Sequence, residues 1–299
     1  MTSPKRWAAR INELAGTGAD AAGSLAMLPG GERLVVGQAD GAVFCIELAT
    51  GNKVWVGAER PEGIVQTVAC SPDGRILATG GDDDVVRLWD ATSGSVIARY
   101  QRHRGIWQVQ FSPDGERVAV AGGDDTVSVY RLGSDQPIMT GEGHEAWVTS
   151  VDWSPRGDRL VTVSNDSTLR LWNPENGLEL IRRELGARGS AVAWSSKDQI
   201  ALAIEDDSVP LIDASGPLIE VARLRPGVGG IDSLRWAPGG DRLAAAGSTA
   251  VIVWDQQGAR ELARFPIDGF AHRVAWSPDA SIIGASLLGD RIRLWDVPA

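Results

Sequence analysis

The sequence predicts an all-β chain built from seven copies of one unit of four strands, and three observations support this. A residue pair resembling Trp-Asp recurs every 40–43 residues along the chain. A second marker, a turn resembling Ser-Pro-Asp-Gly, recurs in step with the first. The segments between the markers are short and rich in Val and Ile, without the sustained 3.6-residue apolar period of a helix. Two markers that keep register over seven copies indicate a repeat architecture.

Both markers can be followed through all seven units. The Trp-Asp-like pairs are Ile46-Glu47, Trp89-Asp90, Tyr130-Arg131, Trp172-Asn173, Ile212-Asp213, Trp254-Asp255 and Trp295-Asp296. The turns read LPGG from 28, SPDG from 71, SPDG from 112, SPRG from 154, SSKD from 195, APGG from 237 and SPDA from 277. Because Pro and Gly set backbone angles that a strand does not continue, each turn separates two strands.

Each unit divides into β-type runs. In the third unit, IWQVQF precedes the Ser-Pro turn, RVAVAG follows it, an acidic pair marks a tight turn, and TVSVY comes next. A fourth run closes a unit, as SVIARY does at 95–100 and LELIRRE at 178–184. Units of about 40–45 residues with four strands each are typical of the blades of a β-propeller.

These markers resemble those of the WD-repeat family, also called WD40, and the resemblance covers the whole chain. It implies a single domain over residues 1–299 that forms a seven-bladed β-propeller with four antiparallel strands per blade. The last unit ends at Ala299 without a fourth strand, whereas WAARINEL at 7–14 precedes any first strand. We therefore expect residues 7–14 to form the outer strand of blade 7 and to close the ring, which would cover an exposed sheet edge.

The fourth unit matches a hydrogen-bonded tetrad that the family often uses to tie a blade together. The matching residues are His144, Thr162, Asp166 and Trp172. The third unit keeps only Asp124, with His103 one residue out of register. A His-Asp-Thr set also resembles a catalytic triad, but here the spacing already serves a structural role and no oxyanion-hole motif accompanies it. We predict a structural tetrad and no catalytic residue.

Other chemical signatures are weak. The sequence contains no His-Glu-x-x-His, Cys-x-x-Cys, Gly-x-Ser-x-Gly or Walker motif. The acidic turns at 81–84, 122–125 and 205–207 lack the spacing of a calcium loop, so we interpret them as solvated turn carboxylates. Cys45 and Cys70 lie in apolar runs and are expected to be buried free thiols. We predict no metal site, no cofactor and no small-molecule substrate.

Charge and composition narrow the class of partner. The formal charge of −10 argues against nucleic acid, whose binding depends on Lys and Arg that neutralise phosphates. The chain lacks a run of about 18 apolar residues, and its first residues lack the apolar core of a secretion signal, which favours a cytoplasmic protein without a membrane contact. Lys5, Lys53 and Lys197 are the only lysines beside many arginines, a bias that favours a GC-rich bacterial genome.

The resemblance also implies where a protein partner would dock. In the family, partners commonly contact the face that carries the loops into each blade and the Asp turns. Carried over by register, the contact positions include Gln66, Asp82, Trp107, Trp147, Thr149, Asn165, Phe270 and His272. Aromatic side chains are enriched in binding hot spots, although Trp107 or Trp147 could instead cover the first strand of its own blade. The carboxylates in the turns of units one to five favour a partner with a basic segment.

We therefore predict a non-catalytic scaffold for protein–protein interaction that serves as a subunit of a larger complex. Rigid blades would fix the loop side chains before the partner arrives, which lowers the ordering cost of binding. The alternative is an enzyme, a hydrolase or lyase, with its site at the mouth of the propeller channel. Such a site needs converging histidines and carboxylates, whereas the three histidines fall in units three, four and seven. A propeller fold alone does not decide between them.

Overall fold

The protein is described by a computed structural model that covers residues 22–255, 260–288 and 291–298. Within these residues every regular element is a β-strand, and the strands form seven antiparallel sheets. Six sheets have four strands, and the seventh has three in the described part of the chain. The predicted all-β, seven-bladed propeller is confirmed.

The strands of each blade follow one another in chain order. Blade 1 contains β1 (Ala22–Met27), β2 (Arg33–Gln38), β3 (Val43–Glu47) and β4 (Lys53–Val56); blade 2 contains β5 (Thr67–Cys70), β6 (Ile76–Gly80), β7 (Val85–Asp90) and β8 (Val96–Gln101); blade 3 contains β9 (Ile106–Phe111), β10 (Arg117–Gly122), β11 (Val127–Arg131) and β12 (Pro137–Gly141). Blade 4 contains β13 (Val148–Trp153), β14 (Leu160–Ser164), β15 (Thr168–Trp172) and β16 (Glu179–Glu184); blade 5 contains β17 (Gly189–Trp194), β18 (Gln199–Ile204), β19 (Val209–Asp213) and β20 (Ile219–Leu224). Blade 6 contains β21 (Ser233–Trp236), β22 (Arg242–Ala246), β23 (Ala250–Asp255) and β24 (Glu261–Pro266), and blade 7 contains β25 (Ala271–Trp276), β26 (Ile282–Leu287) and β27 (Arg291–Asp296).

The first strands of the blades surround the central channel. Each of them contacts the first strand of the next blade, and β25 contacts β1, so the ring is closed through its inner strands. Hydrogen bonds reinforce several of these contacts: the backbone N–H of Val68 donates to Ser24 Oγ over 3.0 Å, and that of Val192 donates to Ser150 Oγ over 3.0 Å. The equivalent bond from Val274 to Ser233 measures 3.3 Å. Blade spacing is therefore fixed by hydrogen bonds as well as by packing.

The hydrophobic core lies between neighbouring blades. Trp172, at the end of the third strand of blade 4, is fully buried and packs with Val129 and Met139 of blade 3. Trp89 of blade 2 packs in the same way with Val35 of blade 1. Because a sheet must bury both faces, stacking around a ring removes from water the apolar surface that one blade alone would expose.

Antiparallel strand order places successive turns on opposite faces of the ring. The Asp-turn face carries the turns between second and third strands and the loops that lead into the next blade. The Ser-Pro face carries the turns between first and second strands. The fourth residue of a Ser-Pro turn adopts a left-handed backbone, with φ of 74° at Gly74 and 56° at Asp198, which explains the glycine preference of this marker.

Three expectations concern the termini, the membrane and the thiols. The strand expected at 7–14 lies outside the described residues, so its pairing with blade 7 stays a prediction. The described residues contain no helix that is long and apolar enough to cross a membrane.

Cys45 is buried and Cys70 half-buried, both as free thiols. Burial raises the pKa of Cys45 to about 11 and that of Cys70 to about 12, so both thiols are neutral at physiological pH.

Candidate functional site

A β-bulge at the start of the first strand shapes the Asp-turn face. In blade 3, Ile106 pairs with Gly122 and Gln108 with Ala121, which leaves Trp107 as the extra residue. Blades 4 and 7 have the same irregularity at Thr149 and His272. A bulge redirects a side chain out of the regular alternation of a strand. The same type of β-bulge therefore sets three of the predicted contact residues, Trp107, Thr149 and His272, apart from the core.

Trp107 and Trp147 meet on this face. Their rings stack with centroids 5.2 Å apart and planes inclined by 30°. Trp147 keeps 47% of its surface exposed, whereas Trp107 is half-buried beneath it. The two tryptophans come from adjacent blades, so each ring covers part of the other. The stack forms a rigid apolar surface at the rim of the channel.

The loop that carries Trp147 is pinned by backbone and side-chain hydrogen bonds. The N–H of Asn165 donates to the carbonyl oxygen of Trp147 over 3.0 Å. The hydroxyl of Ser164 donates to the carbonyl of Ala146 over 2.9 Å, and the N–H of Glu145 donates to Asp166 Oδ2 over 3.1 Å. The loop thus reaches Trp147 with its backbone tied to the Asp turn of blade 4.

The four residues of the predicted tetrad form one chain of hydrogen bonds. Trp172 Nε1–H donates to Thr162 Oγ1 over 2.8 Å, and Thr162 Oγ1 lies 2.7 Å from His144 Nε2. His144 Nδ1 lies 2.8 Å from Asp166 Oδ2. With a neutral imidazole, Thr162 donates to Nε2 and Nδ1–H donates to the carboxylate, so every group is satisfied. The hydroxyl is bonded on both sides and deeply buried, which suits a structural role rather than that of a nucleophile.

The environment favours an ionised aspartate beside a neutral histidine. Burial raises the pKa of Asp166, but hydrogen bonds from Thr168 and His144 outweigh burial and bring the pKa to about 2. Burial lowers the pKa of His144, against the raising effect of Asp166. Arg170, whose side chain is 3% exposed, lies between two carboxylates, with Nη2 3.5 Å from Asp166 Oδ2 and Nη1 2.7 Å from Glu179 Oε2.

Arg273 was missed by sequence reasoning, although it organises the channel beneath the tryptophans. Its guanidinium donates across the channel to the carbonyl oxygen of Trp107 over 3.1 Å. It also donates to the carbonyls of Asp232 and His272, each over 3.1 Å. Burial lowers the pKa of Arg273 to about 10, so the side chain stays charged at neutral pH. The available signal was an arginine at an inner-strand register position where the other blades have small or neutral residues.

The remaining predicted contact residues divide into two groups. Phe270 and His272 lie together, with ring centroids 5.0 Å apart, and both are half-buried. The other group is held by hydrogen bonds within the ring: the amide of Gln66 donates to Asp82 over 3.1 Å, and the hydroxyl of Thr149 donates to the Gly189 carbonyl of blade 5 over 2.7 Å. Thr149 therefore links two blades, while the exposed Asp82 faces solvent.

Arginines bind the turn carboxylates of blades 2 and 3, in blade 3 from the position of the tetrad histidine, and this corrects two expectations. In blade 3, Arg102, not the neighbouring His103, reaches Asp124 with an N–O distance of 2.7 Å. In blade 2, Arg87 pairs with Asp83. Turn carboxylates interpreted as solvated are thus ion-paired at these two positions. An arginine is a natural replacement because its planar fork matches a carboxylate and keeps its charge when buried.

Comparison with known proteins identifies the repeat. A family model described as WD domain, G-beta repeat matches residues 53–90, 94–131 and 135–173. Each match begins in the outer strand of one blade and continues through the first three strands of the next. The sequence repeat and the structural blade are therefore offset by one strand, so that consecutive repeats interlock neighbouring sheets.

Several curated proteins are similar to parts of the chain. The angio-associated migratory cell protein of Homo sapiens is 35% identical over 77 residues, which is 25% of this chain and 18% of that protein. WD repeat-containing protein 1 of Gallus gallus is 30% identical over 74 residues, 24% of this chain and 12% of that protein. The periodic tryptophan protein 2 homolog of Dictyostelium discoideum is 46% identical over 41 residues, 14% of this chain and 4% of that protein. The chain thus covers less than a fifth of the length of these relatives.

The architecture defines a repeat protein in which seven blades stack around one channel. Three of its units match the WD40 repeat model, and the relatives include proteins named for WD repeats. Residues 53–173 therefore contain three WD40 repeats, and the described chain as a whole folds as a seven-bladed β-propeller. A fold of this kind supports a role in protein–protein interaction, whereas the cytoplasmic location and the bacterial origin stay predictions.

Proposed function

We propose that the protein is a non-catalytic scaffold that holds a protein partner on its Asp-turn face as a subunit of a larger complex. The observation that carries the proposal is the stacked pair of Trp107 and Trp147, of which Trp147 is 47% exposed. A large aromatic surface whose backbone is already pinned loses little conformational freedom on binding. Arg273 supports the stack from below through the Trp107 carbonyl.

The distribution of histidines supports the scaffold over a hydrolase or lyase. His144 is buried in the blade 4 network, and His272 lies beside Phe270 on blade 7. His103 is exposed on the loop into blade 3. General acid–base catalysis needs such groups within hydrogen-bond reach of one substrate position, and these three belong to separate blades.

We further propose that the partner presents a basic segment to blade 2. Asp82 is exposed and accepts hydrogen bonds from Gln66 and from the Ile64 backbone, and no arginine among the described residues pairs with it. Asp84 follows in the same turn. Arg104 and Arg188 are exposed on the loops into blades 3 and 5, so the negative field is confined to the blade 2 side of this face.

Affinity capture from the source cells with quantitative mass spectrometry tests the proposal. Trp107→Ala combined with Trp147→Ala should remove the partner captured by the wild type, while Ile219→Ala, an equally apolar change on an exposed outer strand, should retain it. Asp82→Asn with Asp84→Asn should weaken capture at low salt and have little effect at high salt. Equal capture by the tryptophan variant and the wild type would refute the docking site. A large fall in melting temperature of that variant would instead assign the two rings to the core.

A further inference from the structure

The opposite, Ser-Pro face carries a cavity that the proposed scaffold role does not use. It has a volume of about 360 Å³ and is lined by residues from blades 2 to 6, including Pro72, Pro113 and Pro155 of the Ser-Pro turns. A second cavity of about 230 Å³ adjoins it and shares Gln110 and Arg235. The larger volume falls within the range of small-molecule sites.

Three polar residues reach this cavity from one layer of the inner strands. The layer consists of the second-to-last residue of the first strand in each blade. Around the ring these residues are Ala26, Ala69, Gln110, Asp152, Ala193, Arg235 and Ala275. Four blades therefore have alanine where blades 3, 4 and 6 have an amide, a carboxylate and a guanidinium. Alanine at this position is compatible with the fold, so the fold itself does not require the charges.

The layer carries two charges, the buried Asp152 and the half-buried Arg235. Asp152 accepts the backbone N–H groups of Trp153 over 2.9 Å and Trp194 over 2.8 Å. Arg235 donates to the carbonyl of Leu234 over 3.1 Å. Neither side chain forms a salt bridge with the other or with another described residue. Burial lowers the pKa of Arg235 and raises that of Asp152, while the attraction between these two opposite charges works against both shifts.

Tryptophans form the walls of the cavity, and their rings are held in place. Trp153 Nε1–H donates to the Gln110 carbonyl over 3.1 Å, and Trp236 Nε1–H donates to the Ala193 carbonyl over 3.1 Å. The guanidinium of Arg117 lies 4.8 Å from the ring centre of Trp153. Such fixed aromatic walls are preorganised to receive an apolar group.

We propose that this cavity binds a small zwitterion with an apolar side chain, of the α-amino acid class, with its carboxylate on Arg235, its ammonium on Asp152 and its side chain against the indoles. A guanidinium has several N–H donors in a planar fork that fits a carboxylate. The carboxylate oxygens of Asp152 retain lone pairs for an ammonium. A ligand with both charges matches a cavity whose own two charges sum to zero, whereas a simple anion or cation would leave one of them unpaired.

Isothermal titration calorimetry on the full chain tests the proposal with L-leucine and L-phenylalanine as probes. One saturable site per chain is expected for at least one of them. Leucinamide, which lacks the carboxylate, and 4-methylpentanoate, which lacks the ammonium, should each bind at least about tenfold more weakly than leucine. If either analogue binds as tightly as the amino acid, or if neither amino acid shows saturable binding up to about 10 mM, the proposal is wrong.

Variants locate the site. Arg235→Ala and Asp152→Asn should each weaken binding at least about tenfold, and both should fold, because alanine occupies the layer in four blades and asparagine keeps an acceptor for a backbone N–H. Trp147→Ala on the opposite face is the matched control and should bind as the wild type does. Unchanged affinity in Arg235→Ala would overturn the assignment. Because the two faces are tested by different variants, failure here leaves the partner proposal untouched.

Discussion

Blades 4 and 5 are neighbours with the same strand order, but different chemistry joins their second and third strands. In blade 4, the buried hydroxyl of Thr162 accepts the indole N–H of Trp172 over 2.8 Å. At the equivalent positions blade 5 has Leu202 and Ile212, both fully buried in the cluster between the two blades. A polar network in blade 4 and a purely apolar contact in blade 5 therefore occupy equivalent positions between the second and third strands.

The difference teaches that the tetrad is not required for a blade to be stable. Replacing buried polar groups with well-packed apolar groups of similar size is often neutral or stabilising. What blade 4 gains is the position of a loop, because Asp166 also accepts the backbone N–H of Glu145, two residues before Trp147. Blade 5 presents no aromatic side chain at that place, where Arg188 is exposed. We infer that the network serves the Asp-turn face rather than the core alone.

The largest loss of stability is expected when a large side chain packed between two blades is truncated. Trp172→Ala should lower the free energy of unfolding by about 4 kcal/mol, because a fully buried indole leaves a cavity between blades 3 and 4. Ile212→Ala in blade 5 should lower the free energy of unfolding by about 3 kcal/mol, because the smaller isoleucine side chain leaves a smaller cavity. Urea unfolding followed by far-ultraviolet circular dichroism measures both. A cost below about 1 kcal/mol for Trp172→Ala would show that packing of the indole between blades 3 and 4 contributes little to the stability of the ring.

Substitution of the turn carboxylates should give a larger difference in the free energy of unfolding between blades 4 and 5. Asp166→Asn should cost about 2 kcal/mol, because it removes the carboxylate that accepts from His144, Thr168 and the Glu145 N–H, whereas Arg170 keeps Glu179 at 2.7 Å. Asp206→Asn, at the same turn position of blade 5, should cost less than about 1 kcal/mol, since Asp206 is exposed and, among the described residues, accepts hydrogen bonds from Ser208 alone. The same unfolding measurement compares the two variants. Equal costs would mean that the blade 4 network adds nothing beyond an ordinary Asp turn.

Part of this comparison could be predicted from the sequence because its signals are local. The strand β15 and the tetrad follow from residue types at fixed spacing within one repeat. Arg102 was missed because arginine and histidine reach Asp124 from the same position by different side-chain lengths. Arg235 and Arg273 were missed because a single arginine in a strand becomes a signal only when the same strand position is compared across all seven units. The Trp107–Trp147 stack depends on the bulge at Trp107 and on a contact between neighbouring blades, which no local pattern indicates.

Acid should weaken the hydrogen-bond network of blade 4. Asp166 has a pKa of about 2 in the folded protein and 3.8 in the unfolded chain. Its contribution is therefore fully present above pH 3.8 and is lost as the pH falls toward 2, by about 2 kcal/mol in total. The lowered pKa of His144 acts in the same direction, because the unfolded chain takes up a proton first as the pH falls through 6.5. The wild-type protein should lose stability more steeply with acid than Asp166→Asn, as melting temperatures between pH 2 and 7 will show. Parallel curves would contradict an ionised Asp166 in the network.

The smallest expected difference lies in the Ser-Pro turns of the two blades. Gly157 of blade 4 and Asp198 of blade 5 both adopt a left-handed backbone, with φ of 68° and 56°. Gly157→Ala should cost about 1 kcal/mol, because a side chain in this conformation is strained. Asp198→Gly relieves that strain but removes the acceptor of the Trp194 indole N–H, 3.3 Å away, so its net effect should stay within about 0.5 kcal/mol. Differential scanning calorimetry resolves the two changes. A clear gain in stability from Asp198→Gly would show that the indole bond to Asp198 contributes little, and that the Trp194 wall of the Ser-Pro face cavity is held by packing.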